Sequence, residues 1–237
     1  MANHAILNNI QHKNTRVITA RSAAYGDAVM SALTFPAEFR DLQACYPLVF
    51  AQNEAGSYDP LALFGFEQGE NLFLGQNGWD APTIPLTVER QPFMIGRNGE
   101  ELNIHIDMDS PRVRDGGIDG EALFLTYGGT SEYLERISSV LRTIHDGLQA
   151  ARAFVSALVE LDLIEPFQLD VELDDGSQNR LAGFYTIHEE RLAALSDDQV
   201  AALHRAGWLQ AVYMMVASLA QFRGLIERKN RANGHRN

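Results

Sequence analysis

The sequence predicts an α+β fold: a mostly antiparallel sheet in the N-terminal half, packed against a long helix and C-terminal helices, with a late β-hairpin. Three observations predict it. Up to about residue 127 the apolar runs are short and are broken at close intervals by Gly, Pro and Asn, as strands and turns require. From Gly128 the apolar spacing changes to three and four residues, the period of a helix with one dry face. Phe167, Leu169, Val171 and Leu173 then alternate with Gln168, Asp170 and Glu172, the mark of a strand with one dry and one wet side.

The expected strands of the first half are Arg16 to Ala20, Tyr46 to Gln52, Leu61 to Glu67, Asn71 to Leu74, Ile84 to Val88 and Leu102 to Asp107. Turns are expected at Gly69, Asn77-Gly78 and Asn98-Gly99. Pro36 to Leu42 breaks this pattern. Proline suits a first helical turn, and Phe39 and Leu42 are three apart, so a short helix is predicted there. Thr130 or Ser131 can cap the long helix, in which Tyr133, Ile137, Val140, Leu141, Ile144, Leu148, Ala151, Val155 and Leu158 form one stripe. Pro166 should stop it near Leu163. After the hairpin's second strand, Leu181 to Ile187, capping-box spacing at Thr186/Glu189 and Ser196/Gln199 predicts two helix starts. The last one or two helices run from about Asp197 to Lys229, with Gly207 as a break and a basic tail, RKNRANGHRN. The hairpin either joins the first sheet or forms its own. One interlocked domain over 1–237 is expected, sheet-rich to 127 and helix-rich from 128.

With 237 residues, 46% of them hydrophobic and 21% charged, the chain has material for a substantial core. Its 31 acidic and 19 basic side chains give a formal charge of −12, which repels phosphate backbones and argues against nucleic acid as a partner. The N-terminus lacks a basic stretch followed by an apolar run, so the expected location is the cytoplasm. No run reaches the roughly 18 uninterrupted apolar residues of a membrane span, so no membrane insertion is expected. Cys45 stands alone, which excludes an internal disulfide and a Cys-rich zinc site.

The sharpest chemical candidate is LNIHIDMDS, residues 102–110. On a strand, His105 and Asp107 point to one face, as two ligands of a facial triad would, and His188 after LAGFYTI is the geometric candidate for the third. Such a set would hold iron. The plain alternative is an alternating strand in which Leu102, Ile104, Ile106 and Met108 face the core while Asn103, His105 and Asp107 face water. Asp107, Asp109 and Ser110 do not continue into the spacing of a calcium loop. The clusters RDGGIDGEA and YGGTSEY contain no nucleotide-binding glycine pattern, and no G-x-S-x-G surrounds a serine. Trp79 and Phe93, beside turns, are candidates for a ligand or partner surface. Tyr213, Met214 and Met215 on the last helical stretch are candidates for a homodimer contact.

Several ordered stretches resemble the bacterial SapC family: PAEFRDLQACYPLVF, ALFGFEQGENLFL, IPLTVERQPF, LNIHIDMDSPRV, GEALFLTYGGTSEYL, LIEPFQLDVEL, LAGFYTIHEERLAALSDDQVAALHRAGWLQAVY and SLAQFRGLIERKN. The resemblance covers almost the whole chain. It implies a protein often encoded beside TonB-dependent outer-membrane receptors, flavin-dependent tryptophan-halogenase-like proteins and cupin-like proteins. It supplies no catalytic motif and no residue roles. The expected function is an accessory cytoplasmic protein that binds a peptide, a small molecule or a partner protein, with no cofactor favoured. The alternative is a non-haem iron oxygenase or hydroxylase using His105, Asp107 and His188.

Overall fold

The computed structural model describes residues 3–98 and 101–234. Thirteen strands and seven α-helices alternate through them. In chain order they are β1 (His4–Ile6), β2 (Thr15–Val17), β3 (Ser31–Leu33), α1 (Phe39–Leu42), β4 (Leu48–Gln52), β5 (Tyr58–Leu63), β6 (Leu74–Gly75), β7 (Gly78–Trp79) and α2 (Leu86–Glu89). Next come β8 (Phe93–Asn98), β9 (Glu101–Asp107), β10 (Val113–Asp115), β11 (Glu121–Ala122) and α3 (Glu132–Glu160). The chain closes with β12 (Ile164–Glu172), β13 (Gln178–Ile187), α4 (Glu189–Ala193), α5 (Asp197–Arg205), α6 (Leu209–Ser218) and α7 (Phe222–Gly234).

The strands pair antiparallel throughout. The largest sheet has the order β12-β13-β4-β5-β3, so the late hairpin joins strands of the first half through the Phe184–Ala51 and Tyr185–Phe50 pairs. Two three-stranded sheets, β1-β9-β8 and β10-β2-β11, and the small β6-β7 ribbon complete the set.

Helix α3 ties these layers together. Ser131 caps it, its side chain accepting from Leu134 N–H, and Glu132 and Glu135 complement the dipole in its first turn. At 29 residues it is about 43 Å long. Its first turns place Leu134, Ile137 and Leu141 against Val17, Phe93, Ile106 and Leu123 of the two small sheets. Its last turns place Phe154, Val155 and Leu158 in the main core with Phe39, Phe50 and Leu48. Between them, Val140, Ile144 and Ala151 surround Phe35. Gly147 is required here, because a Cβ at that position would overlap the Phe35 ring.

The main core is rich in aromatic pairs. Phe154 meets Phe39, Phe50 and Trp208 at centroid distances of 5.9, 6.4 and 5.7 Å, and Phe64 meets Tyr46 and Trp79 at 5.2 and 5.1 Å. A 3₁₀ turn, Leu219–Gln221, joins α6 to α7, and the resulting helical stretch Leu209–Gly234 is, by length and composition alone, apolar enough to cross a membrane. In this fold Ala211, Val212, Met215, Phe222 and Leu225 enter the main core from it.

Several expectations change in the structure. Ile84 to Val88 contains no strand. Pro85 starts a turn, and the four-residue α2 follows it. The segment Asn71 to Leu74 extends only at its last residue, because Asn71 folds back to accept from Phe73 N–H. Thr186 belongs to β13, and the cap of α4 is His188, whose Nδ1 accepts from Arg191 N–H. The Ser196/Gln199 capping box forms as expected, and Gly207 adopts a positive φ of 78° between α5 and α6. In the expected Asn98-Gly99 turn, Gly99 lies outside the described residues.

Candidate functional site

The metal hypothesis places its residues apart. His105 and Asp107 lie on β9, whereas His188 caps α4 at the end of the main sheet, where its Nδ1 lies 3.7 Å from Glu165. Among the described residues, no group of three or more His, Cys, Asp and Glu side chains could hold a metal ion. His105 also corrects the expectation of a wet side chain. It pairs with Met94 across the β8-β9 ladder and its ring lies over Gly96, where Nε2 is buried without a hydrogen-bond partner. Ile106 is buried as expected, but Leu102, near the start of β9, is exposed.

Phe93 is fully buried against Tyr133, so it offers no outer surface. Trp79 is half-buried. Its ring packs on Phe64 and its Nε1–H donates to the Tyr46 hydroxyl at 2.8 Å, which gives the polar edge of the indole an internal partner. Of the three dimer candidates, Met215 is core, Met214 is half-buried and Tyr213 is exposed.

A cleft of about 790 Å³ runs alongside the first three turns of α3. Its walls are α3, the segment 82–91 that carries α2, and the 35–42 segment that carries α1. Half-buried Ile18, Ile84 and Leu86 supply accessible apolar surface, while Phe35, Leu42 and Ile137 border the cleft as buried side chains. The polar groups fall into three constructions.

The first is a buried ion pair. Both oxygens of Asp27 accept from Arg112 Nη2 at 2.6 Å, and both residues are nearly inaccessible. Asp27 also accepts from Arg21 at 3.3 Å and from Ser22 N–H at 2.8 Å. Arg112 Nη1 donates to the carbonyls of Ile18 and Ala20. A guanidinium so placed is tolerable because nearly all its donors are met; Nε alone is buried without a partner. This pair clamps the loop 18–27 onto the turn that follows β9.

The second construction holds α2 at both ends. Glu38 Oε1 accepts from Leu86 N–H at 2.8 Å, giving the first turn of α2 a cap from a distant residue, and Oε2 pairs with the Thr34 hydroxyl at 3.1 Å. Arg21 donates to the carbonyls of Val88 and Glu89 at the other end. Burial pushes the Glu38 carboxyl up to about 7, against the lowering effect of those two hydrogen bonds. The third lies at the mouth, where Arg136 of α3 pairs with Glu89 at 2.5 Å. Beside it Tyr133 is pushed up to about 12, chiefly by burial, and its hydroxyl has no hydrogen-bond partner among the described residues.

Sequence reasoning singled out none of Arg21, Asp27, Glu38, Arg112 and Arg136. Asp27 and Arg112 are 85 residues apart, and each reads as an ordinary charge near a turn. Only the topology brings them together. Chemically, the cleft offers apolar surface, fixed backbone geometry and several carboxylates. Among the described residues that line it, no nucleophilic side chain is hydrogen-bonded to a base; the Thr34 hydroxyl that meets Glu38 is fully buried.

The model of the SapC family, described as SapC, matches residues 7–225 of the chain. No curated protein and no solved structure matches the chain.

Proposed function

Because the chain belongs to the SapC family, we propose that it is an accessory binding protein that holds a small molecule or the end of a peptide in the cleft beside α3. Its setting in this reading is the cytoplasm, in a pathway linked to TonB-dependent nutrient uptake or a surface product. The observation that supports it is the cleft itself. Its volume suits a small ligand, its lining includes the half-buried apolar residues Ile18, Ile84 and Leu86, and its walls are held by hydrogen bonds that Arg21 and Arg112 donate and Glu38 accepts. A preformed site of this kind costs little to order on binding. The charge of −12 disfavours nucleic acid as the occupant.

The test is native mass spectrometry of the protein taken from its own lysate, beside Ala37→Trp. Ala37 is exposed and lines the cleft, so the indole fills the opening without entering the core. A co-purifying small molecule or peptide that the variant fails to retain supports the proposal. Retention by the variant, or turnover of a substrate by the purified protein alone, overturns it.

A further inference from the structure

The charge distribution around the cleft identifies the class of ligand, an inference that rests on the binding reading above. The cleft's three arginines are turned inward or already paired. Arg112 serves Asp27 and two carbonyls, Arg21 serves Asp27 and the end of α2, and Arg136 serves Glu89. The carboxylates are not similarly spent. Asp41, Glu121 and Glu132 line the cleft, are exposed, and have no hydrogen-bond or ion-pair partner among the described residues. The surplus at the opening is therefore negative.

We propose that the occupant carries a positive charge: an organic cation, with an amine or guanidinium group on an apolar stem. The stem lies along the half-buried Ile18, Ile84 and Leu86, where it replaces water on the accessible apolar surface of the cleft. The cation sits at the Tyr133 end between Glu121 and Glu132. There the half-buried Tyr133, whose hydroxyl has no partner among the described residues, can accept a hydrogen bond from it. Partial exclusion of water strengthens the attraction to both carboxylates relative to bulk solvent. An anion would meet the same carboxylates as repulsion and find the buried guanidinium groups already engaged.

The experiment uses the full chain and three probes of nearly equal size: phenethylamine, the neutral 2-phenylethanol and the anion phenylacetate. Binding is read from amide chemical shifts of residues 132–143 and 83–91 during titration at two ionic strengths. The expected result is that phenethylamine shifts both segments at the lowest concentration, and that added salt or Glu121→Gln with Glu132→Gln weakens it several-fold while the alcohol is unaffected. Equal or tighter cleft binding by the alcohol or the anion overturns the charge assignment and leaves a binding cleft in place. No shift in either segment with any probe overturns the binding reading as well.

Discussion

The two ends of α3 are held by different physics. At its C-terminal end, Phe154, Val155 and Leu158 pack into an aromatic core shared with the five-stranded sheet and α6, where interactions are apolar and distributed. At its N-terminal end the core is small, and the adjoining loops are tied by Arg112, Asp27 and Arg21 through charge-assisted hydrogen bonds. The cleft lies against this second end. An apolar core tolerates small shifts of its neighbours, whereas a bidentate ion pair holds particular atoms at particular places. The difference places rigid, directional contacts where a ligand would be read and bulk packing where it would not.

The largest expected effect breaks the polar end. Asp27→Ala leaves the Arg112 guanidinium buried without its counter-charge, and should cost about 3–5 kcal/mol in urea unfolding. Adding Arg112→Met should recover only part of this, because the Ile18 and Ala20 carbonyls then lose their donor. Full recovery would show that the pair is an exchangeable filler and that the two ends do not differ as described. Phe154→Ala tests the apolar end, with an expected loss of about 3–5 kcal/mol. Unlike Asp27→Ala, it should leave the amide shifts of residues 83–91 near their wild-type positions.

Gly147→Ala probes the joint between the two ends. The added methyl must displace the Phe35 ring, and the expected cost is about 1–2 kcal/mol after allowing for alanine's better helix propensity. Since Phe35 also lines the cleft, ligand binding should weaken in the same variant.

Glu38 sharpens the contrast through pH. Its carboxyl rises from 4.5 to about 7 on folding, so as pH increases the unfolded chain loses this proton first. The folded state then binds more protons, and stability from this group falls between about pH 4.5 and 7, by at most about 3 kcal/mol. Glu38→Gln should remove that component, so the variant gains on the wild type as pH rises through the window. A constant difference in chemical denaturation between pH 4.5 and 7.5 would contradict the assignment. The smallest effect belongs to Arg180→Ala, whose pair with Asp170 is exposed on both sides; its unfolding midpoint should match the wild type.

Much of the helical architecture was legible in the sequence because periodicity is local information. The α3 stripe, its Ser131 cap, the β12-β13 alternation and the Ser196 capping box each depend on residues within a few turns of one another. The short strands β1, β3, β8 and β10 were not legible, since each runs only three to six residues and is strand only because a partner lies beside it. Ile84 to Val88 misled for the converse reason: its β-branched residues outweigh the turn that Pro85 begins. The cleft left no local sign. The pairing of Glu38 with Leu86, or of Arg112 with Asp27, is a property of how distant loops meet, and no window of sequence contains both partners.

One feature of α3 extends beyond support. A single unbroken helix contributes side chains to both cores, so loosening either core releases turns that the other needs. Heat should therefore melt the molecule in one endotherm, and slow amide exchange should be shared along the whole of residues 134–158 instead of dividing at the midpoint.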